Sequence, residues 1–519
     1  MLVKTYAAAL QSINARTVTI EVSCTPGSYF QLVGLPDAAI KESQDRIISA
    51  IQSCGYRYPG RRIVINMSPA DLRKEGSAYD LPLAIGILAA DEQIPSEPLE
   101  RLMIMGELSL DGSLRPIRGA LPIAIQARSE GYEGLILPKS NAQEAAVVNQ
   151  LKVYGADNLS EVIAMLCGRQ DIMPTEVDTR GEFYRNQRAY PFDFNEVKGQ
   201  ENVKRALEVA AAGGHNLLMV GAPGSGKSMM AKRLPSILPP FSLSESLETT
   251  KIYSVAGKLG KDITLMTVRP FRAPHHSISP AALVGGGSNP QPGEISLAHN
   301  GVLFLDELPE FSRNVLEVMR QPLEERMVTV ARARFSVDYP ASFMLIAAMN
   351  PCPCGYYNHP TRACECTPQQ VQKYLGRVSG PLLDRVDIQV EIFPVPFEKL
   401  SDQTMGESSH EICQRVIRAR EIQNQRFAQC PEVHCNAQMT PKLMQLYAKP
   451  DKAGLARLKV AMERLNLSAR AYDRILKVAR TIADLAGKEL IDQSDIGEAI
   501  QYRSLDKASW GTQTAKSPV

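Results

Sequence analysis

The chain has 519 residues, enough for several domains with their own cores, and 44% of its residues are hydrophobic and 22% charged. A net charge of +2 excludes a uniformly basic nucleic-acid-binding protein, so any binding to DNA must come from local clusters of cations. There is no signal peptide pattern and no run of about eighteen apolar residues, so we expect no membrane span, a cytoplasmic location and reduced thiols.

The first part of the chain alternates short β-rich runs with Ala-rich helical runs. TVTIEV and RRIVINM predict strands and DLPLAIGILAA predicts a helix, so we expect a mixed α/β domain over residues 1–167. Residues 168–194 are polar and aperiodic, which predicts a linker. A second α/β block over 195–400 is followed by helical periodicity over 401–504, and 505–519 reads as a flexible tail.

The segment LLMVGAPGSGKSMMAKRL has the order strand, glycine-rich loop, helix. The loop fits the P-loop pattern G-x-x-x-x-G-K-[ST] and consists of Gly221, Ala222, Pro223, Gly224, Ser225, Gly226, Lys227 and Ser228. Its backbone N–H groups can hold phosphates, Lys227 can reach the β- and γ-phosphates, and the Ser228 hydroxyl can bind Mg²⁺. We therefore predict a site for ATP and Mg²⁺, the alternative being a chance glycine-rich turn.

Two further strands end in polar residues. GVLFLDELPEF is an apolar run that ends in Asp306 and Glu307, and a buried parallel strand would deliver these carboxylates beside the phosphates. Asp306 would hold Mg²⁺ through water and Glu307 would be the general base. FMLIAAMN ends in Asn350, which we expect next to the Asp306 strand and in position to orient the attacking water. The alternative is an asparagine that starts the turn before Pro351.

Four cysteines follow Asn350 within MNPCPCGYYNHPTRACEC. They are Cys352, Cys354, Cys364 and Cys366. Reduced thiols are soft ligands for tetrahedral Zn²⁺, which would brace a loop without a core of its own. Four protein ligands leave no open position, so the zinc would be structural. His359 could replace one thiol, and redox-active or incidental thiols are the alternative.

The motifs together resemble the Mg-chelatase-like AAA+ ATPases of the YifB/ComM family. The resemblance runs from GLPDAAIKES and GELSLDGSLRPIRGALP through the P-loop, RPFRAPHHSISPAALVGGG and AAMNPCPCG to SGPLLDRVDI and LSARAYDRILKVARTIADL. It implies an α/β AAA+ P-loop ATPase core with a cysteine insertion at 351–367, a C-terminal helical lid domain and an N-terminal Lon-protease-like α/β domain. It also implies assembly into a homo-hexameric ring.

The resemblance assigns roles to two arginines and to Asn350. Arg385 in GPLLDRVDI resembles the arginine finger that enters the neighbouring subunit's site, while a salt bridge with Asp384 or Asp387 is the alternative. Arg470 matches the sensor-2 arginine, which faces the γ-phosphate from the lid. Arg474, one turn on, is the competing position, and Asn350 matches the sensor-1 position.

The family resemblance also implies two elements that project into the pore of a ring. The glycine-rich stretch around HHSISPAALVGGGSNPQPGE would be the helix-2 insertion, and ERMVTVARARFSVDYPASF would be the pre-sensor-1 hairpin. The hairpin tip carries Arg332 and Arg334, which would face a phosphate backbone. A solvated basic turn is the alternative, and we assign no chemistry to His275 and His276.

The N-terminal domain lacks the residues of a Lon-type protease. An ungapped match over KEGSAYDLPLAIGIL places Ala78 at the position of the nucleophilic serine, with Ser77 one residue early, and Leu121 at the position of the activating lysine. A serine without such a lysine is not a useful nucleophile. We therefore expect Ser77 in a turn or cap and a binding or ring-organising role for the domain.

The resemblance implies an ATP-driven hexameric helicase or branch-migration factor. Its partners would be single-stranded and branched DNA and a RecA-type recombinase, and its process the recombination of incoming single strands in natural transformation. A protein-remodelling ATPase is the alternative, although its pore loop would be aromatic, whereas this region offers Gly, Ser, His and Arg. A chelatase motor ranks last because this chain supplies neither an integrin-like nor a porphyrin-binding partner domain.

Overall fold

Two compact units make up the chain. This computed structural model describes residues 1–187, 190–260, 263–287, 290–332, 335–395, 406–430, 432–465 and 467–503. The first unit comprises residues 1–186 and 242–267, with a short stretch that ends at Val337. The second comprises 187–241, 268–332 and the chain from Asp338 onward. The predicted tail at 505–519 and the predicted boundary between 400 and 401 lie outside the described residues.

A seven-stranded sheet forms the centre of the first unit, in the order β3-β4-β2-β1-β5-β8-β9. Alternation of buried and exposed side chains builds it: in β2, Val18, Ile20 and Val22 are buried and the residues between them are not. A small hairpin pairs β6 with β7. The strands are β1 (Leu2–Gln11), β2 (Asn14–Thr25), β3 (Phe30–Val33), β4 (Arg62–Ser68), β5 (Leu102–Ile104), β6 (Glu107–Leu108), β7 (Leu114–Arg115), β8 (Gly134–Pro138) and β9 (Lys152–Ala156).

The helices of the first unit cover this sheet. They are Ala38–Lys41, Ser43–Ser53, Asp80–Ala90, Ala120–Ser129, Lys139–Ala145, Leu159–Leu166, Thr179–Asn186 and Leu243–Ala256. Helix Asp80–Ala90 is buried along its whole length, as its continuous apolar run requires. Helix Thr179–Asn186 lies inside the predicted linker over 168–194, where Phe183 is buried and Asp178 accepts a hydrogen bond from the N–H of Gly181.

Helix Leu243–Ala256 belongs to the first unit, although the sequence predicted one continuous domain over 195–400. It packs against helix Ala120–Ser129, and the N–H of Gly119 donates to the carbonyl of Ser254 at 3.2 Å. A capping box that begins at Ser242 starts the helix. The chain thus leaves the second unit after residue 241 and returns to it at residue 268, which the predicted contiguous boundaries did not include.

A parallel five-stranded sheet forms the centre of the second unit, in the order β11-β14-β17-β10-β18. Two small hairpins pair β12 with β13 and β15 with β16, the latter at the predicted pre-sensor-1 position. The strands are β10 (Leu217–Gly221), β11 (Phe271–Arg272), β12 (Gly285–Gly286), β13 (Gln291–Pro292), β14 (Val302–Leu305), β15 (Met327–Arg332), β16 (Phe335–Pro340), β17 (Met344–Met349) and β18 (Ile388–Ile392).

Helices of the second unit fall into a set around the sheet and a C-terminal set. The first set is Glu201–Gly213, Lys227–Arg233, Pro280–Val284, Glu294–Leu297, Arg313–Val318, Arg320–Glu325, Pro368–Leu375 and Gly380–Leu383. The second is Ser409–Arg426, Pro441–Tyr447, Lys452–Leu465, Ala469–Leu485 and Gln493–Gln501. Ile475, Val478 and Ile482 pack into the same core as the sheet, so the predicted helical domain is confirmed. Among the described helices, none is long and apolar enough to span a membrane.

Candidate nucleotide site

The P-loop leaves the carboxyl end of β10, which lies between β17 and β18 in the parallel sheet. Strand β10 is fully buried, and the loop then turns into helix Lys227–Arg233. Gly224 and Gly226 have φ of +75° and +92°, a left-handed conformation that glycine adopts without steric cost. The loop can therefore wrap closely around an anion. The positive φ angles explain why glycine occupies positions 224 and 226.

The Lys227 side chain is buried within the P-loop. Its Nζ donates to the carbonyls of Gly221 at 2.7 Å and Ala222 at 2.9 Å, and to Oδ1 of Asn350 at 3.1 Å. Burial lowers the pKa of the Lys227 ammonium. The structure thus brings Asn350 to the P-loop, because β17 lies between β14 and β10 as expected from the sequence.

Ser228 and Asp306 meet where a magnesium ion would bind. The Ser228 hydroxyl donates to Oδ2 of Asp306 at 2.5 Å, and Oδ1 of the same carboxylate accepts from the N–H of Glu307 at 2.9 Å. A hydroxyl and a carboxylate oxygen are the ligand types that Mg²⁺ takes beside phosphates. The Ser225 hydroxyl is buried without a hydrogen-bond partner among the described residues, so the loop also offers an unused donor to a phosphate oxygen. The residues fit ATP with Mg²⁺.

Glu307 makes a contact that the sequence did not reveal. Its backbone is left-handed, with φ of +53°, and its side chain is 61% exposed. Oε2 of Glu307 lies 3.3 Å from Nδ1 of His276, whose ring packs against His275 with centroids 4.0 Å apart. No local pattern could have shown this pair, since 31 positions separate the two residues. His276 therefore orients the carboxylate that we expect to act as general base.

Removal of the His276 imidazole should impair turnover and spare nucleotide binding. We expect His276→Ala to lower kcat for ATP roughly tenfold with KM unchanged, because a base that loses its orientation is misplaced for proton transfer. Steady-state phosphate release checks this, with His434→Ala as the control because His434 is exposed and lies away from this pair. An unchanged kcat in His276→Ala would show that the contact orients nothing.

Arg385 lies at the other edge of the sheet. Its Nη1 donates to the carbonyl of Pro381 at 2.6 Å and its Nη2 to Oε1 of Glu324 at 2.5 Å, while its Nε has no partner among the described residues. The alternative of a salt bridge with Asp384 or Asp387 is wrong, because the guanidinium pairs with Glu324 on helix Arg320–Glu325. The side chain is 10% exposed.

Arg470 and Arg474 line the same cleft as Arg385. Arg474 donates to buried Asp387 at 2.7 Å, and this neighbour raises the pKa of Arg474. Breaking such a buried pair costs about 3–5 kcal/mol. Arg470, with a side chain 68% exposed, pairs with Asp384 at 2.9 Å, and exposed pairs contribute only about 0–1 kcal/mol. Of the two candidates, Arg470 is the one that can exchange its partner for a phosphate.

The three arginines do not face the P-loop of their own chain. Asn216, just before β10, bonds to Asp387 and to the carbonyl of Arg385, which places them at the amino edge of the sheet. The P-loop leaves the carboxyl edge, and the five residues of β10 span about 16 Å. That Arg470 faces a γ-phosphate from the lid stays a prediction, but within one chain the whole strand separates Arg470 from the P-loop.

The four cysteine sulfurs converge on one point. The Sγ of Cys352 lies 3.3 Å from that of Cys354 and 3.7 Å from that of Cys364, and 3.6 Å separates Cys354 from Cys364. All four ligand atoms, including that of Cys366, lie within 4.8 Å of one another. Zinc with Zn–S bonds of about 2.3 Å would hold sulfurs about 3.8 Å apart. The cluster fits a tetrahedral metal site.

Backbone N–H groups point at these sulfurs as they would at thiolates. The N–H of Cys354 donates to the Sγ of Cys366 at 3.4 Å. Burial acts to raise the pKa of the Cys354 thiol, but the N–H groups of Tyr356 and Glu365 and the adjacent thiols outweigh it and lower that pKa to about 6. His359 is not among the side chains whose ligand atoms converge, and its Nδ1 accepts from the backbone N–H groups of Thr361 and Arg362.

Two sets of predicted residues remain outside the site. Arg334 and the side chain of Arg332 lie outside the described residues, so the basic tip stays a prediction. In the first unit, Ser77 opens a short 3₁₀ turn and its hydroxyl donates to Glu107. Leu121 is buried, and buried Lys74 donates to backbone carbonyls. The expected turn position of Ser77 is confirmed.

Comparisons with known proteins place the chain in a family. Family models match in order: subunit ChlI of Mg-chelatase over 20–141, magnesium chelatase subunit ChlI over 193–400, and its C-terminal part over 406–503. Competence protein ComM of Haemophilus influenzae is 43% identical over 504 residues, which cover 96% of this chain and 97% of that protein. The chain belongs to the YifB/ComM family of Mg-chelatase-like AAA+ ATPases.

Other relatives agree with this assignment. A YifB protein of Escherichia coli is 43% identical over 509 residues, which cover 96% of either chain. The magnesium-chelatase subunit ChlI of Chlorella vulgaris is more distant, at 23% identity over 299 residues and 51% of this chain. YifB/ComM membership confirms the predicted AAA+ core with a helical C-terminal domain, in a family of ATPases that use ATP with Mg²⁺.

Proposed function

We propose that the chain is an ATP-driven motor on DNA that works as a homo-hexameric ring. The observation that carries this proposal is the separation of the two halves of the ATP site. Lys227, Asp306 and Glu307 lie at the carboxyl edge of the sheet, and Arg385 and Arg470 at the amino edge. Within one chain the arginines are too far from the P-loop to contact a bound phosphate. In a ring, the amino edge of one subunit's sheet can instead complete the ATP site of the next subunit.

Each residue has a defined part in hydrolysis. The P-loop N–H groups and Lys227 hold the phosphates, and Ser228 and Asp306 would hold Mg²⁺, which neutralises phosphate charge. Glu307 takes a proton from the attacking water while Asn350 orients that water. The new bond forms at the γ-phosphorus, and ADP leaves with the bridging oxygen. Arg385 and Arg470 of the adjoining subunit stabilise the charge on the departing phosphoryl group.

DNA is the substrate that the pore elements and the relatives favour. In the sequence, Arg332 and Arg334 fall where the chain passes from β15 to β16, and six copies of this predicted basic tip would concentrate cations that the near-neutral chain does not show. A 43% identical relative is named competence protein ComM. We infer a helicase or branch-migration activity on single-stranded and branched DNA in natural transformation, beside a RecA-type recombinase.

The four cysteines add a structural metal to this motor. We infer that Cys352, Cys354, Cys364 and Cys366 hold Zn²⁺, because their sulfurs converge and accept backbone N–H groups. With four protein ligands the zinc has no open position for substrate. Its contribution is to fix the loop that follows Asn350.

Processing of a labelled three-strand or four-way DNA junction tests the proposed function. We expect strand displacement that requires ATP and is lost in Glu307→Gln, which retains nucleotide but lacks the base. Strand displacement by the Glu307→Gln protein would show that Glu307 is not the base that drives the motor. If the wild-type protein displaces no strand and DNA does not stimulate its ATP turnover, the DNA motor is refuted and a protein-remodelling ATPase is favoured.

The hairpin tip should matter for DNA more than for the basal ATPase. We expect Arg332→Ala with Arg334→Ala to weaken DNA binding roughly tenfold, since each lost cation reduces counterion release from the phosphate backbone. Fluorescence anisotropy at two salt concentrations measures this, and ATP turnover without DNA should stay within about twofold. Lys452→Ala with Lys459→Ala, two exposed cations on one lid helix, is the charge-matched control. Equal loss of DNA binding and basal turnover would point to a folding role.

A further inference from the structure

The cysteine loop is in direct contact with the P-loop. A Cβ built on Gly355 would lie 2.5 Å from Cδ of Pro223, closer than real Cβ contacts. The φ of Gly355 is +85°, so glycine is required there both by its backbone and by its neighbour. The loop that carries the four thiols therefore supports the outer side of the P-loop.

The same loop forms one wall of a cleft that continues the phosphate site. The opposite walls come from the end of β10 and from Phe393 and Pro394 after β18, while Tyr357, Asn358 and His359 belong to the cysteine loop. Phe393 is 49% exposed. The cysteine loop therefore faces Phe393 and the end of β10 across a small cleft beside the phosphate-binding loop.

Few other contacts hold this loop in place. Its buried core is three side chains, Cys352, Tyr357 and Val371, with the remaining cysteines packed on it. The next helix, Pro368–Leu375, joins the loop to the site, because the Tyr374 hydroxyl meets the backbone N–H of Asn350. A core of this size does not fix a loop of fifteen residues without a cross-link, and a four-thiolate metal is such a cross-link.

We propose that zinc on the four cysteines sets the affinity for ATP. The metal holds the cysteine loop, the loop supports the P-loop through Gly355 and Pro223, and its outer residues form a wall of the small cleft beside the P-loop. Removal of the metal would let the cysteine loop move, so that the cleft would lose one wall and the P-loop would lose its contact with Gly355. This proposal rests on the proposed ATP site and is independent of DNA.

The first test uses the full-length wild-type protein. Zinc content is measured by elemental mass spectrometry, and ATP affinity by titration of a fluorescent ATP analogue without DNA. We expect about one zinc per chain. Chelation should weaken nucleotide binding roughly tenfold or more, with recovery when Zn²⁺ is restored, because a displaced wall misplaces the ligand.

Matched variants separate the metal from the contact. Cys364→Ser with Cys366→Ser removes two ligands that lie nine and eleven residues after Gly355, and it should lose both zinc and affinity. Gly355→Ala keeps all four thiols, so it should retain zinc but bind nucleotide more weakly. Cys430→Ser, a half-buried cysteine outside the cluster, should change neither quantity.

Failure of the zinc proposal and failure of the ATP site give different experimental results. Zinc loss with affinity unchanged, by chelation or in the double variant, overturns the proposal, as does wild-type protein that carries no metal. If the double variant does not fold, reversible chelation of the wild type decides. Untreated wild-type protein that fails to bind the ATP analogue would refute the nucleotide site itself.

Discussion

Lys227→Ala is expected to lower the affinity for ATP roughly 100-fold to 10,000-fold. The substitution removes about two charge-assisted hydrogen bonds to phosphate, each of about 1.5–3 kcal/mol. In the structure the ammonium is buried and donates to three oxygens at the P-loop and Asn350, so it is already placed where the phosphates bind. Titration with a fluorescent ATP analogue measures the loss, and phosphate release should fall to background.

Lys232→Ala is the matched control for this prediction. Lys232 lies on the same helix, Lys227–Arg233, but is exposed, so its removal changes the net charge equally without touching the phosphate site. We expect its affinity to stay within about twofold of wild type. Should Lys227→Ala bind ATP as tightly as Lys232→Ala, the P-loop assignment would be wrong.

Contiguous motifs predicted the carboxyl edge of the site well. The glycine pattern from Gly221 to Ser228 determines the conformation of the P-loop backbone. An apolar strand that ends in Asp306 places that carboxylate at the edge where the carboxyl ends of parallel strands meet. Asn350 could be placed by the same rule. The four cysteines were equally local, since fifteen residues of chain suffice to bring their sulfurs together.

Relations between distant segments were not predictable in this way. The pairing of Glu307 with His276 depends on where the chain after β11 crosses the sheet edge, and a single sequence gives no such distance. Helix Leu243–Ala256 joins the first unit because of packing that its own pattern does not encode. The family resemblance placed Arg470 in the lid, but its side of the sheet follows from how the helical domain packs on the core.

Arg385→Ala is expected to lower kcat for ATP about 1,000-fold or more while nucleotide binding to the subunit is retained. Arg385 lies a strand length away from its own P-loop, so its loss leaves Lys227 and Ser228 unaffected. The guanidinium is held by Pro381 and Glu324, and its Nε is without a partner among the described residues. Phosphate release and ATP-analogue titration measure the two quantities, and Arg418→Ala, an exposed arginine on a lid helix, serves as control.

Mixed assemblies decide whether Arg385 acts on the neighbouring subunit. Arg385→Ala chains retain Glu307, and Glu307→Gln chains retain Arg385, so a mixture contains interfaces at which one chain supplies the base and the next supplies the arginine. If the two edges of the sheet form one site between subunits, mixing two inactive proteins should restore part of the turnover. An arginine that served its own chain could not be rescued in this way, because no subunit in the mixture has both residues. Persistent inactivity of the mixture, with assembly verified by mass, would therefore contradict the shared site.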